Sequence, residues 1–387
     1  MKKSILAMLL LGVFVIAGCG DNHETALSAV PPLEPYPVTV VNMSHGGKRT
    51  DLHFQKEPKR VVVTRASAAD TLIAMGAGDT VVAAYLPEVD NPVKEGYNKL
   101  LPHADILPDL PTPEKIKAYR PDLIIGGCYD FEANKMGDTD QWIQEGIPAY
   151  IEENTDPDGQ QDYPDVPDPG EEYETDDARY LLQKEEARDR IQGEENHNHN
   201  MSRFDMDKDE PDSESPLPGT IDAEFSFISH MGDIFNKPME AEQLADRIIG
   251  EIEMTQAHVA GNQPETAMIV EFTEGKIKVY GPRDLPGHMA ERLAAKVLGE
   301  SGAFITPEEL KKKNPDVLFV VYPKGPNGKK MTLSLLQMSA FGNMRAVEKK
   351  RVYGYPKRFT EATGSHTVEA LRILRNGLYP GMSWEKT

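Results

Sequence analysis

The sequence has 387 residues, of which 39% are apolar, so the chain can bury two cores of ordinary domain size. The formal net charge is −21, but residues 152–214 hold 23 Asp or Glu against six Lys or Arg, a net of −17 that leaves only −4 for the rest. This acidity repels nucleic acid and leaves no basic stripe, so a nucleic-acid partner is excluded.

The N-terminus predicts export and a lipid anchor. Two lysines precede an apolar run, residues 5–17, that is too short to cross a bilayer of roughly 30 Å as a helix but suits the core of a signal peptide. The run ends in IAGC, which resembles a bacterial lipobox. Residues 1–18 would then be removed and Cys19 acylated, which holds the protein on the extracytoplasmic side of a cell membrane through a flexible tether, residues 19–35. The alternative is an ordinary secretory peptide that is cut nearby.

The only other cysteine is Cys128, so a lipidated Cys19 leaves no intramolecular disulfide. The fold must therefore be stable through its core. Cys128 follows the apolar run DLIIGG, a position more typical of a packed or cleft-side thiol than of a nucleophile.

The first half of the chain alternates short apolar strands with helical patterns. Runs rich in strand-forming residues lie at 60–64, 80–86, 122–127 and 148–153, and segments such as ASAADTLIAMGAG lie between them. This alternation predicts a parallel sheet that is covered by helices on both faces. We assign residues 36–237 to an N-terminal lobe.

An acidic insertion, about residues 155–219, interrupts this lobe. It is rich in Pro, Gly and Asp and poor in large apolar residues, so burial cannot offset the entropy of ordering it. We predict a mostly mobile segment with one short helix around ARYLLQKEEARDRI.

A long helix is predicted between the two halves, at residues 238–260. Leu244, Ile248 and Ile252 fall on one face of it at spacings of four, and the helix could brace both lobes or could cover only one. Residues 261–387 repeat the α/β scheme, with apolar runs TAMIVEF, DVLFVVYP and RVYGYP and a last amphipathic helix in HTVEALRILRNGLYP. We therefore predict an α/β fold of two lobes with mainly parallel sheets, one bracing helix and a ligand cleft between the lobes.

One stretch is written twice. TPEKIKAYRPDLII begins at Thr112, and TPEELKKKNPDVLF begins 194 residues later at Thr306. In each copy the Thr suits an N-cap, the Pro suits the first helical position, and the next Glu lies in the first turn, where the helix dipole favours an anion. Glu309 could also complete a capping box with Thr306.

The order of these elements resembles the substrate-binding lipoproteins of ABC importers for iron-siderophores, haem and cobalamin. The segment YPVTVVN…GKRTDLHFQKEPKRVVV is similar to the first strands of that family, DTLIAMGAGDTVVAAY to its first helix and second strand, and MGDIFNKPMEAEQLADRI to the approach to its bracing helix. The resemblance covers the chain from about Tyr36 to Pro380, apart from the insertion. It implies a monomeric receptor, without a catalytic residue or cofactor, that delivers a metal chelate to an ABC permease and its ATPase.

The resemblance also gives the repeated stretch a second interpretation. Glu114 and Glu308 match the glutamates that this family carries on the surface of each lobe and pairs with arginines on the permease. Two separated carboxylates could report both the position and the closure of the lobes to the permease. The alternative is that both glutamates only stabilise the first turn of a helix.

The family builds its ligand site from loops at the carboxyl ends of both sheets. Arg and Tyr side chains in such loops would suit an anionic or phenolic iron chelate, through charge-assisted hydrogen bonds and stacking. The candidates are Arg65, Ser67, Tyr85, Tyr129 and Phe131 in the first lobe, and Tyr280, Arg283, Tyr322, Lys324, Arg358 and Phe359 in the second. For each of them, a packed or solvated loop residue is the alternative.

Histidines suggest a competing receptor for free Zn²⁺ or Mn²⁺. The candidates are His103, His230, His288 and His366, with His197 and His199 in the acidic insertion. Two histidines among so many carboxylates make a weak site, so we predict no direct metal site. Haem is a further alternative, since a His or Tyr could ligate its iron.

Other classes of protein lack their motifs. The sequence has no Gly-x-Ser-x-Gly, no His-Glu-x-x-His and no phosphate-binding glycine-rich loop, so an enzyme is not expected. A chelatase-like enzyme and a lipoprotein adhesin or scaffold that uses the acidic loop remain as different-class alternatives.

Overall fold

The computed structural model describes residues 35–87, 91–155, 218–273, 276–323 and 342–382. Cys19, His197, His199, Lys324 and nearly all of the acidic insertion lie outside these ranges. Residues from Pro35 onward form one compact unit. In the part of the chain that is described, no helix is both long and apolar enough to cross a membrane.

The N-terminal lobe begins with an antiparallel hairpin, in which β1 (Val38–Met43) pairs with β2 (Arg49–Phe54). A five-stranded sheet follows, with the order β5-β4-β3-β6-β7 and every pair parallel. Its strands are β3 (Val61–Val63), β4 (Val81–Tyr85), β5 (Asp105–Leu107), β6 (Leu123–Gly126) and β7 (Ala149–Ile151). The strands β3, β6 and β7 are buried along their whole length, as expected for a parallel sheet covered on both faces.

Helices connect these strands, as parallel pairing requires. They are α1 (Ala66–Ala74), α2 (Asn91–Leu100), α3 (Pro113–Ala118) and α4 (Thr139–Gln144). Beyond the insertion come α5 (Ile221–Ile234) and the 22-residue helix α6 (Pro238–Val259), which at 1.5 Å per residue is about 33 Å long.

The C-terminal lobe contains a mixed sheet of six strands in the order β11-β9-β8-β12-β13, with β10 also paired to β8. The strands are β8 (Thr266–Thr273), β9 (Lys276–Tyr280), β10 (Lys296–Val297), β11 (Phe304–Ile305), β12 (Val317–Tyr322) and β13 (Val352–Pro356). The helices of this lobe are α7 (Leu285–Arg292), α8 (Pro307–Lys313), α9 (Arg345–Glu348) and α10 (Thr367–Leu378). Parallel pairs join β8, β12 and β13, whereas β9 pairs with β8 and β11 in the antiparallel sense.

One apolar core runs through both lobes. It includes Val61 and Val63 of the first sheet, Ile248 of α6, and Ala267 and Phe319 of the second sheet. The helix α6 also anchors to the C-terminal lobe through a buried charge: Glu251 accepts hydrogen bonds from Arg372 and Arg375 of α10. The predicted α/β fold of two lobes with a long bracing helix is therefore confirmed, because α6 packs its apolar face into a core that both sheets share.

Candidate ligand-binding cleft

A cleft opens where the carboxyl ends of β3 and β13 face each other. The turn from β3 into α1 forms one wall, and the segment that follows β13 forms the other. The cleft is lined by Arg65, Ala66, Ser67, Asp70, Arg358, Phe359, Ala362, Thr363 and His366. Sheet edges of this kind hold ligands in open α/β folds, because loops from several strands converge there.

Arg65 lies two residues after the end of β3, at the N-cap position of α1. Its side chain packs closely over Gly127, where an added Cβ would lie 3.3 Å from the Arg65 Cδ atom. The Arg65 Nη2 atom pairs with the carboxylate of Glu361 in the opposite lobe. The first wall therefore presents a guanidinium group that already binds a carboxylate across the cleft.

A second ion pair crosses the cleft beside the first. The His366 Nε2 atom lies 2.9 Å from Asp70 Oδ2, and the His366 Nδ1 atom lies 3.0 Å from Glu369 Oε2. The carboxylate of Asp70, and after it that of Glu369, raises the pKa of His366 to about 9, so the imidazole is protonated at neutral pH. The other Asp70 oxygen accepts a hydrogen bond of 2.6 Å from the hydroxyl of Tyr97.

Arg358 and Phe359 form an aromatic and cationic corner on the second wall. The guanidinium carbon of Arg358 lies 4.4 Å from the centre of the Phe359 ring, within the range of a cation–π contact. Arg358 also pairs with Glu369 at 3.2 Å. Tyr322 is half-buried at the end of β12, and burial raises the pKa of its hydroxyl, so the phenol is neutral at physiological pH.

A buried glutamate holds the second wall in place. Glu224 of α5 accepts hydrogen bonds from the backbone N–H groups of Thr363 (3.0 Å) and Gly364 (2.5 Å), and from Asn154 Nδ2 (2.5 Å). Burial raises the pKa of Glu224, and these donors oppose that shift. Gly364 has a φ of +50°, and a Cβ there would lie 2.2 Å from the Thr71 hydroxyl oxygen, so only glycine permits this close approach.

A second buried polar group lies beneath the first wall. The Ser67 hydroxyl donates to the buried carboxylate of Glu152 at 2.8 Å. Next to it, the Tyr150 hydroxyl lies 2.6 Å from Glu153 Oε1 and 2.7 Å from His230 Nδ1. Burial, followed by the charge of Glu153, raises the pKa of Tyr150 well above its usual value. The buried carboxylate of Glu152 thus orients the hydroxyl of Ser67.

Four of the predicted ligand residues come together in the cleft lining, namely Arg65, Ser67, Arg358 and Phe359. The others are distributed elsewhere. Tyr85 is half-buried at the end of β4, Tyr129 is exposed after β6, Phe131 is fully buried in the core, Tyr280 is buried at the end of β9, Arg283 is exposed, and Tyr322 is half-buried at the end of β12. Tyr280 donates to Glu271 Oε2 at 2.8 Å and so has its own buried partner.

The histidines of the competing interpretation are separated. Only His366 lines the cleft, while His103 is exposed and His288 Nδ1 accepts the Ile221 N–H group at 3.0 Å. His230 belongs to the buried group beneath the first wall. Among the described residues, no group of three His, Cys, Asp or Glu side chains could hold a metal ion.

Sequence reasoning missed Asp70, Glu361, Thr363 and Glu224. Asp70 lies one helical turn after Ser67, so the N-terminal turn of α1 carried a usable signal. Glu361 and Thr363 belong to YPKRFTEATGSH, a segment in which the sequence pointed only to Arg358, Phe359 and His366. Nothing in the local pattern of α5 distinguishes Glu224, because its partners lie 70 to 143 residues away.

The repeated stretch forms the same local structure in both lobes. Thr112 and Thr306 are the N-caps of α3 and α8, each followed by Pro, and their side chains accept backbone N–H groups three residues later. Glu114 and Glu308 both lie in the first turn of these helices at exposed positions. In α8, Glu309 completes the capping box, as the sequence predicted.

Comparison with known proteins gives matches in sequence and in fold. The model of the family described as "Periplasmic binding protein" matches residues 220–359. The ABC transporter substrate-binding lipoprotein YvrC of Bacillus subtilis is 31% identical over 129 residues. That alignment spans 38% of the length of YvrC, so the similarity in sequence concerns one part of each chain.

The similarity in fold extends over most of the chain. A periplasmic binding protein from Veillonella parvula matches with a TM-score of 0.67 at 22% identity, covering 89% of this chain and 92% of that one. The petrobactin-binding protein YclQ of Bacillus subtilis has a TM-score of 0.55 at 17% identity, covering 89% and 99%. The siderophore-binding protein BauB, solved with ferric iron and two molecules of acinetobactin, has a TM-score of 0.57 at 16% identity over the same shares.

These matches agree with the architecture described above. The match in sequence covers α5, the bracing helix and most of the C-terminal lobe, and the match in fold extends to the N-terminal lobe. The match of residues 220–359 to this family agrees with the prediction of a binding protein rather than an enzyme. Residues 220–359 therefore match the periplasmic binding protein family in sequence, and the described chain has the same fold as the solved periplasmic binding protein from Veillonella parvula.

Proposed function

We propose that this protein is a lipid-anchored receptor that captures a metal chelate, with an iron-siderophore as the first candidate, and delivers it to an ABC permease and its ATPase. The observation that carries the proposal is the cleft itself, where Arg65 and Ser67 of one lobe face Arg358 and Phe359 of the other. A cleft with a cation on each wall suits a ligand that offers anionic oxygens to both lobes.

The relatives support this choice of ligand class. YvrC is named as an ABC transporter substrate-binding lipoprotein, YclQ as a petrobactin-binding protein and BauB as a siderophore-binding protein. Under this proposal, a chelate would meet the guanidinium groups through charge-assisted hydrogen bonds and the Phe359 ring through stacking. No bond needs to be made or broken, because the protein only binds and releases its ligand.

The anchor and the docking surface complete the proposal. Acylation of Cys19 would hold the receptor at the membrane that contains the permease, so a released chelate diffuses only a short distance. Glu114 and Glu308 would pair with permease arginines, one from each lobe. Their exposed positions at the start of α3 and α8 support this role, since a docking carboxylate must reach its partner.

A titration tests the ligand class. The full-length chain without its leader is titrated with ferric enterobactin, ferric ferrichrome, haem, cyanocobalamin, Zn²⁺ and Mn²⁺, and the intrinsic tyrosine and tryptophan fluorescence is recorded. We expect saturable quenching by an iron-siderophore and a weaker response to the same chelator without iron. Saturation by haem or cyanocobalamin alone would keep the receptor function and change the proposed ligand to haem or a corrinoid. Saturation by bare Zn²⁺ or Mn²⁺ alone would contradict the proposal.

A further inference from the structure

We infer that Glu361 is a built-in competitor for the ligand, whose carboxylate occupies the Arg65 guanidinium until an anionic oxygen of the chelate replaces it. This inference rests on the proposed function, because it concerns the same cleft. It adds a control on affinity: an anionic chelate has to displace Glu361 before it reaches Arg65, so Glu361 weakens the binding of anionic chelates and leaves that of neutral ones unchanged.

The two partners of this ion pair differ in their freedom to move. The Arg65 side chain is 17% exposed and packs over Gly127, whereas the Glu361 side chain is 55% exposed. Burial of the long arginine stem restricts its rotamers, while an exposed glutamate can rotate into water at little cost. Arg65 is therefore the fixed member of the pair, and Glu361 is the member that can leave.

The departure of Glu361 would not separate the lobes. Within five residues of it, the His366 imidazolium binds Asp70 at 2.9 Å, and the Ser365 N–H group donates to the Thr71 hydroxyl at 2.9 Å. Glu224 holds Thr363 through both its backbone N–H group and its hydroxyl. The segment that carries Glu361 thus stays attached to α1 at two points and to α5 at a third when the glutamate rotates away.

The second arginine of the cleft is held differently. Its partner Glu369 is shared between Arg358 at 3.2 Å and His366 at 3.0 Å. A carboxylate that serves two cations loses more when it is displaced than one that serves a single cation. Of the two glutamates that pair with cleft arginines, Glu361 is therefore the one that exchanges with a ligand, and Glu369 is the one that stays.

The site exposed by this exchange suits an oxygen anion. It would present the Arg65 guanidinium in a cleft that the Phe359 ring also lines, while the Ser67 hydroxyl keeps its hydrogen bond to Glu152. A carboxylate, catecholate or hydroxamate oxygen would recover the charge-assisted bond that Glu361 gives up. A neutral chelate would leave Glu361 in place and gain nothing from Arg65.

The test is a comparison of binding constants for charged and neutral ligands. Wild type, Glu361→Gln and the control Glu348→Gln are titrated with ferric enterobactin, which is anionic, and with ferric ferrichrome, which is neutral. Glu348 is exposed at the end of α9, next to the amino end of β13 and so at the edge of the sheet opposite the cleft. For Glu361→Gln we expect the Kd of the anionic chelate to fall by about 3- to 10-fold, the value of one partly exposed ion pair.

A double-mutant cycle identifies the cause of any gain. In an Arg65→Gln background, Glu361→Gln should change the Kd of ferric enterobactin less than twofold, because there is no longer a guanidinium for which to compete. Thermal unfolding of each variant checks that the chain still folds.

The outcomes separate this inference from the proposed function. If wild type binds an iron chelate but Glu361→Gln leaves the Kd of the anionic chelate unchanged or raises it, the inference fails and the receptor function stands. An equal gain for ferric ferrichrome would also overturn the inference, since the gain would then not depend on the charge of the chelate. If neither protein binds any iron chelate, haem or cyanocobalamin, the proposed function itself fails.

Discussion

The two copies of the repeated stretch show which of its residues serve the fold. In each lobe, the Asp of Pro-Asp fastens the end of the short helix to the start of a strand: Asp122 accepts the N–H groups of Lys59 and Arg60, and Asp316 accepts the N–H group of Thr266. An arginine also closes each helix end. Arg60 donates to the carbonyl of Tyr119, and Arg345 donates to that of Asn314.

The copies differ in how they use their glutamates. In α8 the capping box is formed by Glu309, which accepts the Thr306 N–H group at 2.7 Å, so capping is done by Glu309 and Glu308 lies outside the capping box. In α3 a lysine, Lys115, stands where Glu309 stands in α8. The pKa of Glu114 is lowered by its own backbone N–H group and then by the Thr112 hydroxyl, so this residue takes part in the cap itself. Under the docking role proposed for Glu114 and Glu308, the C-terminal copy would separate docking from capping, whereas the N-terminal copy would combine them.

The largest expected effect is on transport. Replacing both Glu114 and Glu308 with Lys should lower uptake through the cognate permease by at least about tenfold, because like charges would meet at both contacts. Ligand affinity should stay within twofold of wild type, since both residues lie outside the cleft lining. Uptake by cells expressing the variant is measured alongside the Kd of the purified protein.

The C-terminal copy provides the matched control for this prediction. Glu309→Gln removes the capping carboxylate and keeps Glu308, so stability should fall slightly while uptake is retained. If Glu309→Gln impaired uptake as strongly as Glu308→Gln, capping rather than docking would explain the repeat.

A smaller effect is expected on stability when the Asp residues are removed. Asp316→Ala should lower the free energy of unfolding by about 2–3 kcal/mol, because it removes bonds to the Thr266 N–H group, the Thr266 hydroxyl (2.5 Å) and Arg345 (2.9 Å). Asp122→Ala should cost about 1–2 kcal/mol, since the Asp122 carboxylate accepts hydrogen bonds from two exposed backbone N–H groups. Urea denaturation of both variants measures the difference, and equal losses would contradict it.

The pH dependence sharpens this comparison. Burial raises the pKa of Asp316, but the hydroxyl and N–H group of Thr266 and the charge of Arg345 outweigh it, so the pKa is lowered overall. A carboxyl group with a lowered folded pKa stabilises the fold above its unfolded pKa of 3.8, and that contribution is lost as the pH falls through the lower folded value. Asp316→Asn should therefore flatten the acid limb of the stability curve below about pH 5.

The smallest effect is expected at the N-caps. Thr306→Ala should cost about 1 kcal/mol and Thr112→Ala about 0.5 kcal/mol, because only Thr306 belongs to a reciprocal capping box. Thermal unfolding at constant pH resolves this difference if several scans are averaged. A larger loss for Thr112→Ala would mean that Glu114 contributes more to its cap than Glu309 does.

Local chemistry in the sequence determined much of the fold. The apolar runs of the sequence correctly predicted the strands β3, β4, β6, β8, β12 and β13. A short apolar stretch between two helices is the local signal of a strand in a buried parallel sheet. Thr112 and Thr306 fixed the starts of α3 and α8 because an N-cap bonds to a backbone group three residues away. The spacing of Leu244, Ile248 and Ile252 predicted the buried face of α6, because residues four apart lie on the same side of a helix.

Only the tertiary structure decided which residues of one lobe contact which residues of the other. The ion pair between Arg65 and Glu361 joins residues 296 positions apart, and Glu224 reaches Thr363 across 139 positions. The sequence also could not tell that Phe131 and Tyr280 turn into the core while Arg358 lines the cleft. A residue after a strand can point either way, and its direction depends on the elements packed against it, which the local pattern does not contain. Strand identity is set by neighbours in sequence, whereas the contents of the cleft are set by neighbours in space.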